Sequence, residues 1–147
     1  MEISLPYLAG LLDGEGCLMI TALRNYREAR RRVRYDPVMQ IVNTYLPLLQ
    51  LVQLQYGGRI QVQRKDCFGL YFSANEMRRI LPKLLPFLVI KKNQAEVLLR
   101  FLELKRSVGC RRIPESVFGE YEQHYGTMKE MKHERFSLTP SIRESQR

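Results

Sequence analysis

The stretch LAGLLDGEG, Leu8 to Gly16, decides the fold, because it puts small residues on one helix face and two acids where that helix ends. Just upstream, Ser4 can cap a helix start and Pro6 suits its first turn, while Leu5, Leu8, Leu11 and Leu12 recur at helical spacing. The spacing predicts a short amphipathic helix. Gly10 and Gly14 fall on one face of it and, with Ala9, leave room for a second helix to approach almost to backbone contact. Gly14 and Gly16 are expected to end the helix. Asp13 and Glu15 then stand at its C-terminus, where the helix dipole disfavours negative charge, and a bound cation would remove that penalty. A bare Asp-Gly-Glu-Gly is ordinary turn chemistry; the whole nonamer in front of a strand carries more.

Composition narrows the partners. The chain has 147 residues, enough for one domain with a real core, and 24 Lys and Arg against 15 Asp and Glu give a net charge of +9. A dimer would carry twice that. Such an excess fits a polyanionic partner, although a basic surface alone is also compatible with a protein-interaction domain. Cys17, Cys67 and Cys110 are odd in number and lack CxxC spacing, which argues against a disulfide framework or a zinc ribbon and for a reducing compartment. His124 and His133 have no Cys or His partners at ligand spacing and are expected to be solvated surface residues. No apolar run reaches membrane-spanning length, and MEISLPYL lacks the basic start and cleavage site of a secretion signal. The expectation is a soluble intracellular protein with no membrane partner, in cytoplasm, nucleoid or an organelle matrix.

Along the chain, residues 17–23 read as a strand, 24–32 as an arginine-dense connection and 33–43 as a longer strand. Thr44 can cap a helix through Leu46, Leu49 and Val52 to Tyr56, which Gly57-Gly58 stops. Strands at 59–64 and 67–72 flank a turn at Lys65-Asp66. Ser73 or Asn75 caps the next helix, which Pro82 and Pro86 shorten or kink. A strongly amphipathic helix covers 92–107, and a weaker one 114–132. The order αββαββα with extra helices is an α+β fold, a four-stranded antiparallel sheet backed by helices, in one domain over 1–132 with a polar C-terminal tail at 133–147. One nonamer occurs, and no duplication at half-length is evident.

Strand alternation divides the sheet into two faces. Arg59, Gln61 and Gln63 point away from Ile60 and Val62, and Arg32, Arg34 and Gln40 away from Val33, Met39 and Ile41. Tyr71 and Cys67 oppose Phe68, Leu70 and Phe72, while the first strand adds Thr21 and Met19, with Arg24 near its end. Arg addresses guanine and Gln adenine in the major groove, and a curved antiparallel sheet is one of the elements that can enter it. A solvated sheet face would alternate in the same way, but it would mix both charge signs; here acids are nearly absent, Asp36 and Asp66 being the exceptions.

The nonamer and this element order over about the first 110 residues resemble the LAGLIDADG homing endonuclease family, allowing Leu for Ile and Glu for the second Asp. The resemblance implies a homodimer, since the chain has a single motif, with Leu8, Gly10, Leu11 and Gly14 at the interface. It further implies a metal-dependent endonuclease that cuts both strands of a long pseudo-palindromic DNA site across the minor groove, with Mg2+, or Mn2+ or Ca2+ in its place, Ca2+ in a non-cleaving complex. Glu15 matches the metal-binding acid and Gly14 the position whose carbonyl adds a ligand, whereas Asp13 reads as a cap or interface residue. Lys91, or less favourably Lys92, matches the lysine before the long helix. Asn43 falls where relatives carry Gln or Asn of a water-organising network, and Gln40 lies on the DNA-facing parity near it. Thr21, Arg24, Arg32, Arg34, Gln40, Arg59, Gln61, Gln63 and Tyr71 are the implied DNA contacts. Pro47 departs from relatives, some of which place an arginine near the active site there. The alternative is a non-cleaving protein on the same scaffold, a maturase for intron RNA or a DNA-binding regulator; retention of Glu15 and Lys91 favours the enzyme.

Overall fold

The computed structural model describes residues 1–24, 33–109 and 113–134. Helix α1 (Leu5–Glu15) starts where the Ser4 hydroxyl accepts the Tyr7 N–H at 3.4 Å, with Pro6 in the first turn. Gly14 stays inside the helix. Gly16 closes it in extended backbone (φ −93°, ψ 166°), so what glycine supplies there is space: a Cβ would lie 2.5 Å from the Leu12 carbonyl oxygen. The chain runs directly from α1 into β1 (Gly16–Arg24) and returns as β2 (Val33–Asn43), with Gly16 opposite Ile41 and Arg24 opposite Val33.

Thr44 does not cap the next helix. The Asn43 side chain does the nearby work instead, its Oδ1 accepting the Tyr45 N–H at 2.8 Å, and α2 (Leu46–Tyr56) follows from Tyr45 with Pro47 in its first turn. Gly57 and Gly58, both at positive φ (92° and 98°), turn the chain into β3 (Arg59–Arg64), and Asp66 at φ 57° links that strand to β4 (Cys67–Phe72). The sheet is antiparallel throughout in the order β1-β2-β4-β3, with a bulge between Val62 and Arg64.

Ser73, rather than Asn75, caps α3 (Ala74–Leu84) in a capping box with Glu76. The Glu76 carboxylate accepts the Ser73 N–H at 2.7 Å and the Gly58 N–H at 2.9 Å. These donors, the Ser73 backbone foremost, hold its pKa below the usual value despite burial. Pro82 is carried inside α3, and Pro86 sits in the one-turn 3-10 helix Leu85–Phe87 that follows. Helices α4 (Lys92–Val108) and α5 (Glu115–Glu134) complete the layer on the helical face. The core lies between sheet and helices, with Leu8, Leu12, Leu18, Met39, Ile41, Leu49, Leu70, Leu81, Leu98 and Phe101 essentially inaccessible. Helix α5 joins it through Tyr121 at 5.2 Å from Phe101, and through Phe118 and Tyr125 at 5.6 and 5.5 Å from Tyr35. His124 is therefore no solvated residue: its ring meets the edge of Phe101 at 6.3 Å, and burial lowers its pKa. Helix α5 runs through residue 132 to Glu134, while residues 135–147 lie outside the described residues.

Candidate functional site

Two acids that stand two residues apart in the nonamer have opposite surroundings. Asp13 is 9% exposed, and its carboxylate accepts the N–H groups of Val89 at 2.8 Å, Ile90 at 3.2 Å and Lys91 at 2.9 Å. Burial raises its pKa, but those three donors and the Lys91 charge outweigh burial and leave it below the ordinary carboxylate value. The Lys91 side chain, 7% exposed, reaches back so that Nζ donates to the Asp13 carbonyl oxygen. A cation thus answers the negative end of α1. Glu15, one turn edge further on, is exposed, as is Gly14.

The end of β2 approaches the same place. Since Gly16 pairs with Ile41, Asn43 runs alongside the C-terminus of α1, on the helical parity with Met39 and Ile41, where its side chain turns the backbone at Tyr45. Gln40 takes the other parity, opposite Cys17 and Tyr71. Glu15 is the one acid at the end of α1 not engaged in holding the fold, and the described residues contain no group of three or more His, Cys, Asp or Glu able to hold a metal ion. What this end of the chain presents is an accessible carboxylate beside the backbone of a helix C-terminus.

The exposed side of α1 consists of Tyr7, Gly10, half-buried Leu11 and Gly14, and a Cβ at Gly10 or Gly14 would meet nothing within 4 Å. Leu8 corrects the expected interface. It is fully buried in the core of its own chain, as is Ala9, so neither has surface to offer a partner. Sequence reading missed three exposed apolar residues near this side, Phe87, Val89 (85% exposed) and Ile90 (60%), of which the Asp13 carboxylate fastens the last two beside the end of α1. The apolar run Pro86–Ile90 ahead of Lys91 was the available signal, but it reads equally well as core.

On the sheet, the outward parity carries Met19, Thr21 and Leu23 from β1, Arg34, Asp36, Val38, Gln40 and Val42 from β2, Arg59, Gln61 and Gln63 from β3, and Tyr71 from β4, with Cys17 at the start of β1. Gln63 donates to the Tyr71 hydroxyl across Gly69, whose missing side chain makes room: a Cβ there would lie 2.8 Å from the Gln63 amide nitrogen. The Gln61 amide lies against Arg59, whose Nε it would accept at 3.0 Å with its oxygen turned that way. Cys67 shares this parity but is buried. Arg24 shares its parity with Ile20 and Ala22 rather than with Thr21, while Arg32 and Cys110 lie outside the described residues. Val62 keeps the helical parity yet is 72% exposed, because β3 is the sheet edge.

Neither a protein-family model nor a curated protein sequence matches the chain. Solved structures do. The homing endonuclease I-CvuI, in complex with DNA, superposes with a TM-score of 0.75 at 18% identity over 86% of this chain and 80% of that one. The archaeal intron-encoded homing endonuclease I-Vdi141I, complexed with DNA, gives a TM-score of 0.75 at 17% identity, over 86% and 82%. The LAGLIDADG homing endonuclease I-LtrWI, bound to target DNA, gives 0.71 at 16% identity, over 85% of this chain but 44% of that one. At these identities the likeness is one of architecture, and the chain has the α+β fold of the LAGLIDADG homing endonucleases.

Proposed function

We propose that this chain is one subunit of a homodimeric, divalent-metal-dependent endonuclease that cuts a specific double-stranded DNA site. The observation that carries the proposal is the end of α1, where an exposed Glu15 adjoins an open Gly10–Gly14 face while the neighbouring Asp13 is fully engaged inside. The lengths of the neighbours support the dimer: this chain spans most of I-CvuI and I-Vdi141I but under half of I-LtrWI, as one unit of a two-unit protein would. Paired through their α1 faces, two chains bring two Glu15 carboxylates together, a repulsive arrangement that a cation relieves.

In this reading Glu15 and the Gly14 carbonyl would hold the ion. A bound Mg2+ supplies charge neutralisation on the phosphate and activation of the attacking water. Lys91 holds a fixed positive charge at the end of α1, two residues from Glu15 in the chain through Asp13, where it offsets charge developing on the phosphate. In this reading the Asn43 amide nitrogen, its oxygen being held by the Tyr45 N–H, would order water at this end of the sheet, and Gln40 would begin the base-reading side. The outward residues Thr21, Arg34, Gln40, Arg59, Gln61, Gln63 and Tyr71 then face the major groove. Arg24 is left to the phosphate backbone.

Cleavage selection from a randomised duplex library tests this directly. Cut molecules should share one long, nearly palindromic sequence in Mg2+ and disappear with chelator. Enrichment of bound but intact DNA in Mg2+ would instead make the chain a non-cleaving binder.

A further inference from the structure

Asp36 is the acid that does not belong on the outward face, and the structure gives it two cationic neighbours. Arg34, two residues earlier on the same strand and face, donates from Nε to Asp36 Oδ2 at 2.6 Å. From the helical layer, Lys105 of α4 passes over the Phe101 ring and donates at 3.0 Å to Asp36 Oδ1 and at 2.6 Å to the Tyr35 carbonyl. The order of exposure follows: Lys105 and Asp36 side chains are 27% and 29% exposed, whereas Arg34 is 71% exposed. The Thr21 hydroxyl, directly across the strand pair, donates to the Asp36 carbonyl at 3.3 Å and fixes the backbone from the other side.

We propose that Asp36, anchored from behind by Lys105, is a positioning residue that holds the Arg34 guanidinium end-on to a guanine, fixing one base pair in each half of the DNA site. The proposal rests on the DNA-reading role given above to the outward face. Its chemistry is that of a preformed fork. An arginine on a strand has several freely rotating bonds, and ordering them costs free energy only where the bidentate contact forms, so an unordered arginine loses affinity for guanine and little for the other bases. Fastening Nε to a carboxylate orders the group beforehand and leaves the two terminal Nη groups, which have no protein acceptor among the described residues, directed outward. That pair matches guanine O6 and N7, and no other base edge offers two acceptors there. Arg59 shows the contrast, with no carboxylate partner among the described residues and, with the Gln61 amide turned toward it, only a neutral acceptor there. A charge-assisted bond holds more firmly than a neutral one. The same carboxylate on a surface meant only for phosphate would be a liability, because it repels the backbone.

The test is binding selection on a randomised duplex library, with Ca2+ in place of Mg2+, for wild type, Asp36→Asn, Lys105→Met and Arg34→Lys. Wild type should enrich guanine at one symmetry-related position in each half-site. Asp36→Asn should lower that enrichment by about two- to tenfold at this position alone, the scale of one side chain left unordered. Lys105→Met should act in the same direction more weakly and reaches the same arginine by a second route, should the first variant melt early. Arg34→Lys keeps the charge but lacks the fork, so it should abolish the preference, and adding Asp36→Asn to it should change nothing further. Equal weakening at all positions, or an unchanged guanine preference in both Asp36→Asn and Lys105→Met, would overturn the positioning role and leave the DNA-reading face intact. A wild-type protein that enriches no sequence would remove both.

Discussion

Helix α1 has an inner and an outer side, and under the proposed function their difference lets a nine-residue stretch serve two purposes. The inner side, Leu8, Ala9, Leu12 and Asp13, is sealed by apolar contact and by three backbone donors from residues 89–91. The outer side, Tyr7, Gly10, Leu11 and Gly14, ends on Glu15 and touches nothing that would fill its glycine hollow. Fold is stored on one side. The other is left open, and an open side with two glycines and a terminal carboxylate is what a symmetric metal-holding helix pair requires.

Changing one acid at a time separates the two sides most sharply. Glu15→Gln keeps shape and hydrogen bonding but removes the charge that would hold Mg2+, so single-turnover cleavage should fall about a thousandfold with melting and DNA affinity nearly unchanged. Asp13→Asn should do the reverse. It leaves N–H donors of Val89, Ile90 and Lys91 facing an amide, and it should cost about 3 kcal/mol in chemical denaturation. The Asp13 pKa lies below its unfolded value, so its contribution is complete above the ordinary carboxylate pKa and is lost as pH falls through the lowered folded one. Denaturation midpoints measured below about pH 4 should therefore converge between wild type and Asp13→Asn.

Two glycines make a smaller comparison. A Cβ at Gly16 would press on the Leu12 carbonyl, so Gly16→Ala should lower stability by about 1 to 3 kcal/mol. A Cβ at Gly10 would meet nothing within 4 Å, so Gly10→Leu should fold normally while separating or inactivating subunits, a split that thermal melting and gel filtration would reveal together. The smallest effect belongs to α5. Burial depresses the His124 pKa, so the folded state resists its protonation and stability should decline as pH falls from the unfolded histidine value toward the lowered one. His124→Gln should flatten that slope without touching DNA cleavage.

Much of this was legible in residue order. Period and caps fixed α1, the paired strands and the alternation of outward arginines and glutamines, because those are local properties. What escaped depends on distant partners. Nothing near Asp13 in the chain tells that its carboxylate will be claimed by backbone 76 to 78 residues away, although its neighbour Glu15 stays free of such ties. Leu8 and Leu11 look alike as helix positions, and only the packing of the sheet beneath decides that Leu8 is core. Thr44 has better capping chemistry than its surroundings need, since Asn43 reaches the Tyr45 N–H first. Asp36 looked like an exception on a basic face until Lys105, 69 residues on, appeared behind it.

The most direct measurement is the mass of the protein–DNA complex by sedimentation velocity, using the duplex recovered from selection and Ca2+ to prevent cutting. Two chains per duplex are expected for wild type, and loss of that species for Gly10→Leu. A single wild-type chain on saturated DNA would contradict the pairing of the outer α1 sides and, with it, the shared Glu15 site.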